Sequence, residues 1–203
     1  MYQRGIFIGL TLLLACARLN AGEASEGDAF SFVIDEPYVR VTIPGLPMLS
    51  MNPHPLGDED PQFRLLGTAK GVSVAAIAPL AEKGITAVEC ASAIANSILE
   101  HHKIGADQVF KGRTSENTFL IIYGLSGQSG GVQLNTHLLS AAGGTHCIEI
   151  HISRESTSEA DVEPWFNGFG EARIDLLDES ARRESVAPDN SLATGTANVP
   201  AGV

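Results

Sequence analysis

The chain is short of cysteine, of positive charge and of long apolar runs, and each shortage narrows what it can be. Cysteine occurs three times, at Cys16, Cys90 and Cys147. Cys16 closes an N-terminal apolar run, while the other two stand alone in the remainder. Lys and Arg number 13 against 24 Asp and Glu, a net charge of −11. That balance disfavours nucleic acid and anionic lipid as partners and suits either a cationic partner or solubility alone. No second long apolar stretch follows the first, so membrane attachment is expected only at the start of the chain. No internal repeat is present.

What is there begins with a secretory pattern. Arg4 supplies a positive n-region, Gly5 to Ala17 an apolar core, and Ala21, Gly22 and Ala24 a small-residue exit. Two cleavage chemistries fit. Leu13-Leu14-Ala15-Cys16 is similar to a bacterial lipobox, in which Cys16 is acylated and heads the mature chain. Cleavage after Ala21 or Ala24 discards Cys16 instead. Removing Arg4 and Arg18 takes the balance from −11 to about −13. Either route leaves Cys90 and Cys147 as the only free thiols, an even count for an oxidising compartment.

The organisation expected is a signal peptide over residues 1–21, a flexible tether over 22–29, a folded domain over 30–177 and a mostly disordered tail over 178–203. The tail is rich in Ala, Gly, Pro, Ser and Asn, and buries too little to offset its ordering entropy. Within the domain, Val39, Val41 and Ile43 alternate with Arg40 and Thr42 as in a half-buried strand. Gly45 to Pro61, proline-rich with the acidic run Asp58-Glu59-Asp60, reads as an irregular loop and as the most plausible contact surface. Phe63 to Leu66 and Val72 to Ala78 read as strands. Thr86-Ala87-Val88-Glu89 fits a capping box opening a helix to about His102, with Cys90 on its apolar face.

Val109 to Arg113, Phe119 to Leu125, Val132 to Ala141 and His146 to Ser153 read as further strands. With Gly143-Gly144 as the two central residues of a tight turn, Ser140 opposes Cys147, Leu138 opposes Glu149 and Thr136 opposes His151. Cys147, Glu149 and His151 then share one face, and His137 is expected on the other with Ile150. A last helix is expected from Ser158 or Asp161, anchored by Trp165, Phe166 and Phe169. This order predicts an α+β fold, an antiparallel sheet with helices packed on it. A Cys90–Cys147 disulfide would staple the first helix to the hairpin, closing a loop of about 57 residues worth roughly 4 kcal/mol.

Pro37-Tyr38-Val39-Arg40-Val41-Thr42-Ile43-Pro44, the helix after Ile85, and Gly144 to Ser153 ahead of the last helix together resemble the PsbP/Mog1/DcrB-like superfamily of small exported α+β proteins. The resemblance covers about Phe30 to Ile174 and rests on element order. It implies a single-domain sandwich that binds partners or assists assembly instead of catalysing a reaction. None of that family's functional residues can be matched here.

Candidate chemistry is sparse. Gly127-Gln128-Ser129-Gly130-Gly131 spells a nucleophile-elbow string, but the alternating Val132 to Leu138 puts a strand where that motif needs a helix. The same glycines lack phosphate-loop spacing. Glu149 and His151, with Thr136 across the hairpin, form the one polar group on a strand face able to bind or exchange a proton. A lone His and Glu do not complete a zinc site, and no cofactor is expected. His101 and His102 suit a helix C-terminus, where a cationic side chain faces exposed carbonyls. The expected function is a non-enzymatic envelope module, secreted or lipid-anchored through Cys16, in the periplasm or at the outer membrane, binding another envelope protein in an accessory or immunity-type role. The alternative is a metal-dependent or general-base hydrolase using Glu149 and His151.

Overall fold

The alternation of Val39, Val41 and Ile43 does produce a strand, and that strand is the centre of a second sheet. The structure is a computed structural model that describes residues 29–126, 131–158 and 162–178. The expected signal peptide with Cys16, nearly all of the tether, and the tail beyond Asp178 lie outside these residues. In chain order the elements are β1 (Ala29–Asp35), β2 (Tyr38–Pro44), β3 (Asn52–Pro53), β4 (Phe63–Ala69), β5 (Val72–Ile77), α1 (Ala87–His102), β6 (Val109–Arg113), β7 (Phe119–Ser126), β8 (Val132–Ala142), β9 (His146–Ser156), α2 (Val162–Asn167) and β10 (Arg173–Leu176).

The strands form two antiparallel sheets, one ordered β1-β2-β10 and the other β3-β4-β5-β9-β8-β7-β6. The expected α+β fold is therefore corrected to a β-rich sandwich of two sheets. One face of the large sheet is covered by β1, β2 and β10 instead of by helices. The difference arises at both ends of the domain. Ala29–Asp35 pairs along the whole of β2, and Arg173–Leu176 pairs with Thr42 to Val39, so the last helix shrinks to six residues. This second sheet also departs from the helix-on-sheet architecture that the PsbP/Mog1/DcrB-like resemblance implied.

Side chains from both sheets interdigitate between them. Phe30, Val39, Val41, Ile43 and Ile174 of the small sheet meet Val74, Ile122, Leu134, Leu138, Ile148, Ile150 and Ile152 of the large one. Trp165 and Phe169 plug the same layer, their rings 5.0 Å apart and nearly perpendicular. Phe166, the third member of the expected stripe, lies outside the described side chains. Gly45 to Pro61 is pinned down as well as irregular, with Leu49 buried and Leu46 and Met51 packed on the inter-sheet core. Gly67 of β4 permits that approach, since a Cβ there would come 2.5 Å from the Met51 sulfur.

The opposite face of the large sheet carries α1. Thr86 caps the helix by accepting from the Glu89 amide, and the Glu89 carboxylate accepts from the Thr86 amide at 2.9 Å. Donation from the Thr86 amide and hydroxyl to the Glu89 carboxylate lowers that carboxyl from its ordinary value. Ala95 and Ile98 of the helix pack on Val109, Ile121, Tyr123 and Leu139. Covered on both faces, β8 is buried continuously from Leu134 to Ser140 instead of at alternate residues.

Candidate functional site

The disulfide sets one end of the helix-bearing face. Cys90 of α1 and Cys147 of β9 are bonded with their Cα atoms 5.6 Å apart, and both are buried. Closing this loop ties the first turns of α1 to the hairpin and fixes which β8 and β9 side chains lie beneath the helix. A bond of this kind points to a location outside the cytoplasm. Among the described residues no helix is long and apolar enough to cross a membrane.

The hairpin itself pairs one residue away from the expected register. Ala142 opposes His146, Ala141 opposes Cys147, Leu139 opposes Glu149 and His137 opposes His151. Gly143 and Gly144 do take positive φ, 59° and 64°, but Thr145 is also left out of the ladder. A one-residue shift exchanges the two faces of a strand. Thr136, expected beside Glu149 and His151, faces the inter-sheet core, where its hydroxyl accepts from the Trp165 indole at 2.9 Å. His137, expected on the Ile150 face, takes its place.

The polar group under α1 is consequently larger than the sequence indicated. His137 Nδ1 bonds Glu149 Oε1 at 2.7 Å, and its Nε2 lies 3.1 Å from the Tyr123 hydroxyl. With the proton on Nδ1 donated to the carboxylate, Nε2 of the neutral ring accepts from the phenol. The His151 ring stacks on His137 with centroids 4.4 Å apart and planes within 8°, and its Nε2 lies 3.1 Å from Asn135 Oδ1, which makes Nε2 the donor. His102, from the last turn of α1, brings its ring within 5.6 Å of Tyr123. His101 contacts only His102 among these groups, ring edge to face.

Burial favours the neutral forms of His151, His102 and Tyr123. It drives the His151 pKa down to about 4, helped by His137 and His102 and opposed by the Glu149 carboxylate. His102 is lowered by burial first, then by His101 and His137. The Tyr123 phenol is pushed up to about 12 by burial and by the nearby Glu149 charge. Carboxylate, imidazole and hydroxyl stand in line as in a base-activated nucleophile, but the line ends on a phenol that is 2% exposed. Glu149 serves His137 and not His151, so the pair the sequence singled out is two linked halves of one network.

Beside the network the face opens. Ser73 of β5 opposes Ser153 of β9, which in turn opposes Asn135. Together with Gly71, Ser126, Gln133, Arg154 and Glu155 these serines line a polar cavity of about 470 Å³. Of the string Gly127 to Gly131, only Gly131 is among the described residues. The strands flanking it pair antiparallel, from Ser126 opposite Val132 to Phe119 opposite Leu139, while residues 127–130 lie outside the described ones.

Tyr123, Asn135 and His137 were not singled out from sequence. A signal for them exists. Asn135-x-His137 on β8 and Glu149-x-His151-x-Ser153 on β9 are polar at alternate positions between buried aliphatics, a spacing that marks one shared face if the register is right. No protein-family model and no curated protein matches this chain.

Proposed function

We propose that this protein is an exported binding module of the bacterial envelope, either free in the periplasm or held at the outer membrane through an acylated Cys16, acting as an accessory or immunity-type partner of another envelope protein. The observation that carries this reading is the mutual satisfaction of the polar network. Glu149, His137 and Tyr123 bond to one another beneath α1, and Asn135 holds His151. The groups best suited to chemistry thus brace the face, leaving Ser73, Gln133, Ser153, Arg154 and Glu155 around the polar cavity beside it. A cavity that presents hydroxyls, an amide, the Glu155 carboxylate and the Arg154 guanidinium suits a polar partner surface that carries both donors and acceptors. The Cys90–Cys147 bond supports export, since such bonds persist in oxidising compartments.

The test is site-specific photocrosslinking in the native envelope. A crosslinker at Ser153 is expected to give one discrete adduct that a crosslinker at Thr42, on the small sheet, does not give. Identical adducts from both positions, or none from Ser153, would reject this surface. Hydrolysis or stoichiometric metal in the purified protein, lost in His151→Ala, would transfer the assignment to the hydrolase class.

A further inference from the structure

Four strands end the two sheets, and three of them are protected. β3 has only two residues, one of them Pro53. β6 carries Lys111, Gly112 and Arg113, and β10 is four residues long with Arg173 and Asp175. Shortness, proline and charge are the usual means of keeping an open edge from pairing with another chain. β1 has none of these. It is seven residues long, Ala29–Asp35, without proline, glycine or a basic residue, and its one charge stands at its last position. It pairs with β2 residue for residue, with no bulge to twist its outer edge away. Among the described residues its backbone bonds only to β2.

The side chains along this edge alternate. Phe30 and Ile34 are buried in the inter-sheet core, while Phe32 between them is only half-buried, its ring 5.3 Å from that of Phe30. Ser31 and Val33 are exposed on the other face, Val33 by 36%. One more strand beside β1 would cover Phe32 with its inward side chains and pair Ser31 and Val33 with its outward ones. Charge around the edge is of one sign. From Gly22 to Val39 the sequence holds Glu23, Glu26, Asp28, Asp35 and Glu36 and no lysine or arginine. Arg40, opposite Val33 on β2, lies one strand farther in. A second copy paired antiparallel about Phe32 would bring Asp35 and Glu36 of each chain to the end of the other strand that Glu26 and Asp28 lead into, like charge against like.

We propose that β1 takes up an extended segment of a partner protein as an added strand, apolar at alternate positions and with lysine or arginine at both ends. Main-chain bonds along the open edge supply the attraction, and apolar side chains over Phe32 set the register. The basic ends select this segment over a second acidic copy. The site lies on the other sheet from the polar cavity and does not rest on the partner proposed there.

The probe is a fluorescein-labelled peptide in which alternating valine and threonine stand between two lysines at each end. Its anisotropy with the full chain is expected to saturate below about 1 mM, and amide exchange is expected to slow in Ala29–Asp35. Proline at each threonine keeps the charge of the peptide but prevents it from extending a sheet. Glutamate in place of the lysines keeps the pattern but reverses the charge. Each of these peptides should bind more weakly by about tenfold or more. Asp35→Lys, at an exposed position, should weaken the lysine peptide and strengthen the glutamate peptide by about threefold each, with Tm unchanged. If that variant does not fold, the comparison peptides decide on the wild-type chain. The proposal is overturned if the lysine peptide does not saturate, if the proline or glutamate peptide binds equally well, or if protection falls outside β1. Wild-type affinities in folded Asp35→Lys overturn it too. Sedimentation that shows a dimer with Ala29–Asp35 protected overturns it in favour of a second copy.

Discussion

His137 on β8 donates to Glu149 on β9 across a diagonal of the ladder, at 2.7 Å, although neither residue stands opposite the other. The direct neighbour of His137 is His151, which it meets by stacking. One imidazole thereby joins Glu149 and His151 of β9 to the phenol of β7.

The first prediction concerns that joint. Tyr123→Phe leaves His137 Nε2 buried without its donor and should cost about 1–2 kcal/mol. Glu149→Gln replaces a charge-assisted bond by a neutral one and should cost about 1 kcal/mol. Because both act through one ring, the double variant should depart from the sum by about 0.5 kcal/mol or more. Urea unfolding with an unchanged m-value measures all three, and strict additivity would show that the ring does not couple them.

Stability should fall on acidification. The folded state holds His151 near pKa 4, below the 6.5 of a free imidazole. The unfolded chain therefore binds the proton first, and stability present above pH 6.5 is progressively lost down to about pH 4. The loss attributable to this group is of order 2–3 kcal/mol. Urea midpoints at intervals between pH 7.5 and 4 should show it. His151→Gln, which retains a side-chain donor for Asn135, should flatten the profile, and an equally steep profile in that variant would assign the effect elsewhere.

Thr136 offers a control on the opposite face. Thr136→Val keeps the shape but leaves the buried Trp165 indole without an acceptor, costing about 1–3 kcal/mol. Its acid profile should parallel that of the wild type, because Thr136 faces away from His151. A changed pH dependence in Thr136→Val would contradict the observed register.

Replacing both Cys90 and Cys147 by Ala should lower stability by roughly 4 kcal/mol, the value for a loop of this length. The loss should be uneven. Amide exchange is expected to rise first in Ala87–His102, which the bond ties to β9, while β1, β2 and β10 keep their protection. Uniform acceleration across both sheets would mean that the bond supports the whole domain equally.

Much of the local structure was legible in advance. Thr86 and Glu89 carry their own capping chemistry, so α1 began where expected, and Val109–Arg113 was recognisable from composition and flanks. The disulfide followed from two thiols in an oxidising setting together with the apolar face of α1. Register was harder, because Gly143-Gly144 identifies a turn without saying whether Thr145 belongs to the ladder. That single residue moved Thr136 to the core and brought His137 to the site. The second sheet left no local mark at its closing edge. Arg173–Leu176 has only four residues, and it becomes a strand because β2 offers it an open edge, a partner far away in the chain.

That edge also bears on when the fold can be completed. β2 lies between its immediate predecessor and the last strand described, so the small sheet is a bare hairpin until Arg173–Leu176 arrives. An isolated hairpin is marginal in water. A chain emerging from its N-terminus therefore has no finished sandwich until almost the entire domain is available. Until then the small sheet lacks its third strand, and docking of Arg173–Leu176 on β2 completes it.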